Sequence, residues 1–231
     1  MFPAHRSPPH PSDFRTKVFS VNPFDNRETV SHYEAWYTTS GKRADRLEKV
    51  FLSKLVARFP AAHTLLEVGC GTGHFTRWFP SCGLHSTGID SSRPMLAEAK
   101  RQGTSRCLQA NAEQLPFPKN AFDLVVYITA LEFMKNPAEA LTEGLRVARR
   151  GLILGILNRQ SLLGAALHRK GGAIWQSAHL FTPGELDSLI RHLGFRKDAY
   201  YRRTTLFRCL PWSSRLPWGG FIGAAITKTN Q

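Results

Sequence analysis

The run Leu65-Leu-Glu-Val-Gly-Cys-Gly-Thr-Gly73 constrains the fold of this 231-residue chain more than any other segment. An apolar stretch carrying one acid (Leu65, Leu66, Glu67, Val68) leads straight into glycines at alternate positions, Gly69, Gly71 and Gly73. A strand that turns on a glycine loop into a helix is a device for holding nucleotides. Glycine accepts the backbone angles of the turn and, lacking a Cβ, lets a ligand lie against the main chain. The helix that follows, from about Gly73, presents free N–H groups and the positive end of its dipole. The dinucleotide fingerprint is G-x-G-x-x-G with a pyrophosphate on the helix N-terminus. Here the spacing is G-x-G-x-G, and Glu67 stands two residues ahead of the first glycine. That carboxylate opposes a pyrophosphate and suits a cationic ligand.

From residue 64 onward, strand-like and helix-like segments alternate. The strands are Thr64–Val68, His85–Ile89 ending at Asp90, Arg106–Gln109, Phe122–Ile128 and Arg150–Leu157. Between them the pattern predicts helices over Gly73–Phe79, Arg93–Gln102 and Pro137–Val147. Such alternation implies a parallel sheet with helices on its faces. Phe122–Ile128 is apolar throughout, as a strand buried on both faces must be. Ahead of the first strand, Leu47, Val50, Phe51, Leu55, Val56 and Phe59 recur at helical spacing and stop before Pro60. Thr182-Pro183-Gly-Glu185 reads as an N-cap, a first-turn proline and a reciprocal glutamate, which opens a helix running to about His192. Two strand-like runs follow around a Pro/Trp-rich loop, the last being Phe221–Thr227.

The segment Glu67-Val-Gly-Cys-Gly-Thr-Gly73 closely resembles the first motif of class I S-adenosylmethionine-dependent methyltransferases, whose cofactor carries a sulfonium and an ammonium. Ala110-Asn-Ala-Glu-Gln-Leu-Pro-Phe117 resembles the family's D-A-x-x-L-P-F step, and Phe122–Phe133 its fourth motif. The overall match is to the group that includes the ubiquinone- and menaquinone-biosynthesis methyltransferases (methyltransferase type 11). The resemblance implies a Rossmann-like α/β fold: a seven-stranded, mostly parallel sheet with helices on both faces and an antiparallel final strand. It also implies S-adenosyl-L-methionine as cofactor. The implied organisation is a flexible tail over residues 1–20 and one methyltransferase domain over 21–231, with a helical cap at 21–60 and a lid at 158–180.

The implied cofactor residues are Glu67, Gly69, Cys70, Gly71 and Gly73 in the loop. Asp90 would accept the ribose hydroxyls, while Ser91 and Met95 line the adenine pocket. In the third step the family's Asp is replaced by Asn111, whose amide oxygen still accepts from the adenine amino group. Ala112 offers its backbone N–H, and Glu113 is a substitute acceptor. An Asx-turn at Asn111 is compatible with both. Ile128 and Thr129 should face the methionine part, and Tyr33, from a Tyr-x-x-Trp segment with Trp36, should cover the cofactor or pack as core. Asp123 reads as structural.

Methyl transfer needs a base only when the acceptor must lose a proton. Candidates near the expected mouth are His179, His168, Glu132 and Tyr127, with His179 preferred because its segment should lid the pocket. No Asn/Asp-Pro-Pro-Tyr/Phe motif stands in the fourth step, which disfavours nucleobase amines. No Pro-Cys or Thr-Cys pair ends the fourth or fifth strand, which opposes covalent attack by cysteine on a pyrimidine.

Lys and Arg number 31 against 17 Asp and Glu, a net charge of +14. Weak binding to polyanions or membrane surfaces is therefore expected. That charge also motivates a second reading, an RNA or ribosomal-protein methyltransferase. A third is a catalytically silent cofactor-binding scaffold. The leading reading is a methyltransferase acting on a small-molecule acceptor. The four cysteines are scattered without metal spacing, and no stretch reaches the length of a membrane span. Pro, His and Arg occupy the start where a secretory signal has an apolar run. The expectation is a cytoplasmic protein with reduced thiols and no metal.

Overall fold

The computed structural model describes residues 22–196, 200–205 and 213–228. The tail expected at 1–20 lies outside the described residues. The strands are β1 Thr64–Val68, β2 His85–Asp90, β3 Cys107–Gln109, β4 Phe122–Ile128, β5 Ala148–Leu157, β6 Tyr200–Thr205, β7 Ser213–Ser214 and β8 Phe221–Thr227. They form one sheet in the order β3-β2-β1-β4-β5-β8-β6-β7. The pairs from β3 across to β5 are parallel. β8 runs antiparallel to both β5 and β6. The seven expected strands are thus present, and the two-residue β7 adds a short edge to β6.

The helices are α1 Arg27–Thr38, α2 Lys42–Val56, α3 His74–Trp78, α4 Arg93–Arg101, α5 Pro137–Val147, α6 Leu162–Lys170, α7 Ala173–Ser177 and α8 Pro183–His192. α8 opens as its sequence dictates. Thr182 Oγ1 accepts from the Glu185 N–H while the Glu185 carboxylate accepts from the Thr182 N–H, which satisfies two helix-end donors at once. The 158–180 stretch holds two helices, α6 and α7.

Strand alternation divides the core. Leu65, Leu124, Val126 and Ile153 bury one face together with Phe51, Leu52 and Leu55 of α2. Leu66, Val68, Val125, Tyr127 and Leu152 bury the other with Leu141 of α5 and Leu186, Leu189 and Ile190 of α8. Asp123, at the entrance of β4, accepts from the His63 and Thr64 N–H groups and from Arg149 and Arg150, so its role is to fasten strand ends. β1 connects onward to β2 on one side, and β4 lies on its other side. The strand order therefore reverses at β1/β4, and a crevice opens beyond the C-terminal ends of these two strands, where ligands bind in open α/β sheets. Cys70, Cys82 and Cys107 are free thiols.

Candidate cofactor site

The loop that leaves β1 is built on positive φ. Gly69, Gly71 and Gly73 have φ of 75°, 53° and 75°, a region open to glycine at little cost. The N–H groups of Gly69 and Cys70 both donate to Ile89 O, at 2.8 and 2.9 Å, which pins the loop across the end of β2. Asp90 then grips the loop from beneath. Its Oδ2 accepts from the Gly71 N–H at 2.8 Å, and its Oδ1 accepts from the Ser92 N–H at 2.8 Å. Burial raises the Asp90 pKa, and the backbone N–H bonds from Ser92 and Gly71 counter part of that rise.

Above this base lies a cavity of about 330 Å³, inside the roughly 300–1,000 Å³ span of small-ligand pockets. Its floor is Gly69, Gly71, Asp90, Ser91 and Met95. One side is the segment Ala110–Glu113, the other Thr129, Ala130, Phe133 and Met134. The roof comes from the N-terminal part of the chain: Phe24 and Tyr33. Phe24 sits edge-on to Phe133 with centroids 4.8 Å apart, and its carbonyl accepts from the Ser92 hydroxyl at 2.8 Å. α1 is tied to the loop helix by Glu34, which pairs with Arg77 at 2.7 Å and also accepts from the Thr72 hydroxyl.

The structure therefore gathers Tyr33, Gly69, Gly71, Asp90, Ser91, Met95, Asn111, Ala112 and Glu113 around one cavity. The Asx-turn is present as well, because Asn111 Oδ1 accepts from the Glu113 N–H at 3.0 Å. The Glu113 carboxylate is already engaged with the Asn136 N–H at 2.7 Å.

Six expected residues stand elsewhere. Glu67 is 2% exposed and turns under the sheet, where the Thr76 hydroxyl donates to it. A residue within β1 points to a sheet face, whereas the cavity lies off the strand end. The Cys70 side chain is buried against Gly88, where an added Cβ would meet the Cys70 sulfur at 2.8 Å. Gly73 packs on Thr104, whose Oγ1 would lie 2.3 Å from an added Cβ. Ile128 is buried in the sheet, and Thr129, with φ 47°, turns to the cavity instead. Trp36 is likewise outside it, packed over Gly41.

His179 is the sixth. It lines a separate recess of about 360 Å³ with Arg159, His168 and Trp175, and its backbone N–H donates to Glu132 O at 2.7 Å. Burial lowers its pKa. His179→Ala is expected to leave cofactor affinity within about twofold, measured by calorimetric titration; a tenfold loss would show that it reaches the cofactor. Sequence reasoning missed Phe24, Ala130 and Phe133. The aromatic residue of the Phe24-Asp25 turn was a readable signal, since an exposed phenylalanine between polar residues needs something to pack on.

Burial drives Glu67 up to about 8, with the Thr76 hydrogen bond opposing. A carboxyl raised in the folded state favours folding fully below its unfolded pKa and loses that contribution as pH rises through the folded value. Glu67→Gln is neutral at every pH and keeps an acceptor for Thr76. Thermal melts should therefore show the variant gaining on wild type between pH 5 and pH 9. A constant difference over that range would contradict the assignment.

Comparison with known proteins agrees with this architecture. The family model for a methyltransferase domain matches residues 66–156. An uncharacterised protein of Methanocaldococcus jannaschii is 30% identical over 182 residues, covering 76% of this chain and 82% of its own. The malonyl-[acyl-carrier protein] O-methyltransferase of Pectobacterium atrosepticum is 33% identical over 115 residues, 48% of this chain, so the chain matches only 46% of that enzyme's length. A crystal structure from Thermotoga maritima, described as a SAM-dependent methyltransferase and possible histamine N-methyltransferase, superposes with a TM-score of 0.65 at 27% identity. It covers 88% of this chain and 98% of its own. The glycine loop, the strand-end acid and the reversal of strand order around them coincide with these matches, and the chain belongs to the class I, type 11 S-adenosylmethionine-dependent methyltransferases.

Proposed function

We propose that this protein transfers a methyl group from S-adenosyl-L-methionine to a small organic acceptor. The observation that carries the reading is the roofed cavity: Asp90 at its base, Ala110–Glu113 on one side, and Tyr33 and Phe24 closing it from above. The residues fit the cofactor. The Asp90 carboxylate retains acceptor capacity for ribose hydroxyls beyond its two backbone bonds. Asn111 and the Ala112 N–H stand where adenine would be read, and Gly71 leaves the backbone bare, since an added Cβ would find only Tyr33 at 3.7 Å and Met95 at 4.0 Å.

When bound, the cofactor supplies an electrophilic methyl on a sulfonium, and the protein supplies position and electrostatics. Tyr33 and Thr129 would orient the methionine end, with the Tyr33 hydroxyl held by Tyr37 at 3.3 Å. Phe24 and Phe133 exclude water from that end. Leu163, Leu167 and Trp175 of the 158–180 segment pack, partly buried, against the apolar core that α2 covers, and an apolar surface of this kind suits a small organic body. Methyl transfer from labelled cofactor to a panel of small amines, phenols and acids tests the reading. Transfer to ribosomal RNA or ribosomal proteins alone would contradict it.

The charge supports a second reading. Lys42, Arg43, Arg46, Lys54 and Arg58 are exposed along and just beyond α2, on the side opposite its apolar face. An RNA or ribosomal-protein substrate predicts binding that weakens steeply with salt, whereas a small-molecule acceptor predicts turnover indifferent to salt between 50 and 200 mM. Among the described residues no helix is long and apolar enough to cross a membrane, and no cluster of ligand residues suits a metal.

A further inference from the structure

The recess that His179 lines is separate from the cofactor cavity, and the cofactor reading does not use it. It measures about 360 Å³, and Arg159, His168, Trp175, His179 and Leu180 are among its lining residues. That volume lies inside the roughly 300–1,000 Å³ span of small-ligand pockets. The residue at the exit of β5 that carries its charge, Arg159, stands on a buried turn. Asn158 is 0% exposed, and its side-chain amide donates to Pro217 O and Gly219 O at 2.6 and 2.7 Å. Its Oδ1 accepts from the Gln160 N–H at 3.0 Å. The Arg159 N–H donates to Phe181 O at 2.9 Å. Ser161 donates to Asn158 O and accepts from the Gly164 N–H, which caps α6. Gly164 lets α6 close on this turn, where an added Cβ would collide with Asn158 O. The backbone under Arg159 is therefore fixed before any ligand arrives.

The lining is one-sided in charge. Arg159 is its permanent cation, and no carboxylate lines the recess. The nearby Glu185 has both oxygens engaged: Oε1 accepts from Arg159 Nη2 and Oε2 from the Thr182 N–H. Arg159 retains the donors on Nε and Nη1, and its side chain is 49% exposed, open to a ligand entering from solvent. His179 lies in the field of the same guanidinium. Burial lowers its pKa and Arg159 adds to the fall, with Glu185 opposing. The imidazole is therefore neutral at pH 7 and leaves recognition of charge to Arg159. The rest of the lining is small or apolar. Trp175 and Ala178 pack, partly buried, on the core that α2 covers, and Leu180 is buried. An arginine donates charge-assisted hydrogen bonds to carboxylates, and an indole offers a face to a flat ring. One permanent cation, already shared with Glu185, suits a monoanion.

We propose that this recess is a second ligand site, which takes a small aromatic monocarboxylate with its carboxylate on Arg159 and its ring against Trp175. The site is complete without the cofactor, so it stands or falls separately from the methyltransferase reading.

The test uses the full chain without cofactor. It is titrated calorimetrically with indole-3-acetate and 3-phenylpropionate, and with the matched neutral amides. At least one acid should bind about tenfold or more tightly than its amide. Arg159→Gln should lower that acid's affinity at least about tenfold and abolish the preference over the amide, while S-adenosylhomocysteine affinity stays within about twofold. The variant should melt close to wild type, because an exposed ion pair such as that with Glu185 contributes little to stability. Trp175→Leu keeps an apolar side chain and should weaken acid and amide alike. Equal binding of acid and amide, no acid binding, or acid binding untouched by Arg159→Gln would overturn the proposal. Displacement of the acid by S-adenosylhomocysteine would put it in the cofactor cavity and overturn the proposal as well. Failure of S-adenosylhomocysteine to bind counts against the cofactor reading alone.

Discussion

Asp90→Ala should lower affinity for S-adenosylmethionine about 100-fold or more while the chain stays folded. The carboxylate makes two kinds of contact that alanine removes. It holds the Gly71 and Ser92 N–H groups at 2.8 Å, which sets the loop and the start of α4. In the proposed cofactor site it is also the acceptor for the ribose hydroxyls. Hydrogen bonds to a charged group contribute about 1.5–3 kcal/mol each, and about 1.4 kcal/mol is a factor of ten in affinity. Two ribose bonds alone therefore account for about 100-fold, before any loss from loop disorder. Asp90→Asn keeps one acceptor oxygen and should fall between. Calorimetry with both variants, alongside thermal melts, separates binding from folding. Unchanged affinity in a folded Asp90→Ala would remove the ribose assignment.

Gly69→Val should disable the site and destabilise the fold together. Gly69 has φ 75°, and a Cβ there would lie 2.6 Å from the Ala130 Cβ. A β-branched residue in left-handed backbone adds strain to a steric clash, about 2–5 kcal/mol in all. For a chain of this size that corresponds to roughly 5–15 °C in Tm. The loop can relieve the clash only by pulling its N–H from Ile89 O, which moves the floor of the cavity. A variant that melts like wild type and binds cofactor would show that the loop adopts another backbone.

The fold was legible where two signals coincided. β1, β4, α5 and β8 begin and end at the residues expected, because each is an apolar run bounded by turn residues or a proline. The α8 capping box was readable from Thr182 and Glu185 alone. Part of the site was legible for a local reason: a glycine loop and a strand-end acid are adjacent once β1 and β2 pair, so Gly69, Gly71 and Asp90 meet at the cavity. Glu67 stands off the cavity because proximity in sequence to the loop says nothing about which sheet face a strand residue takes, and within β1 it faces Thr76. His179 stands apart from the cofactor cavity for a related reason. Its segment does approach the mouth, but its backbone bond to Glu132 directs the ring into a neighbouring recess. Glu132 reads from sequence as one of the candidate bases near the mouth. Its capture of the Leu157 N–H and its burial depend on β5 and α2, which are distant in the chain.

The cavity's identity as the cofactor site is tested most directly by calorimetric titration of the intact chain with S-adenosylmethionine and S-adenosylhomocysteine. The account predicts that both bind at one site per chain with micromolar dissociation constants, and that Asp90→Ala weakens both about 100-fold or more. A folded wild-type chain that binds neither would contradict it.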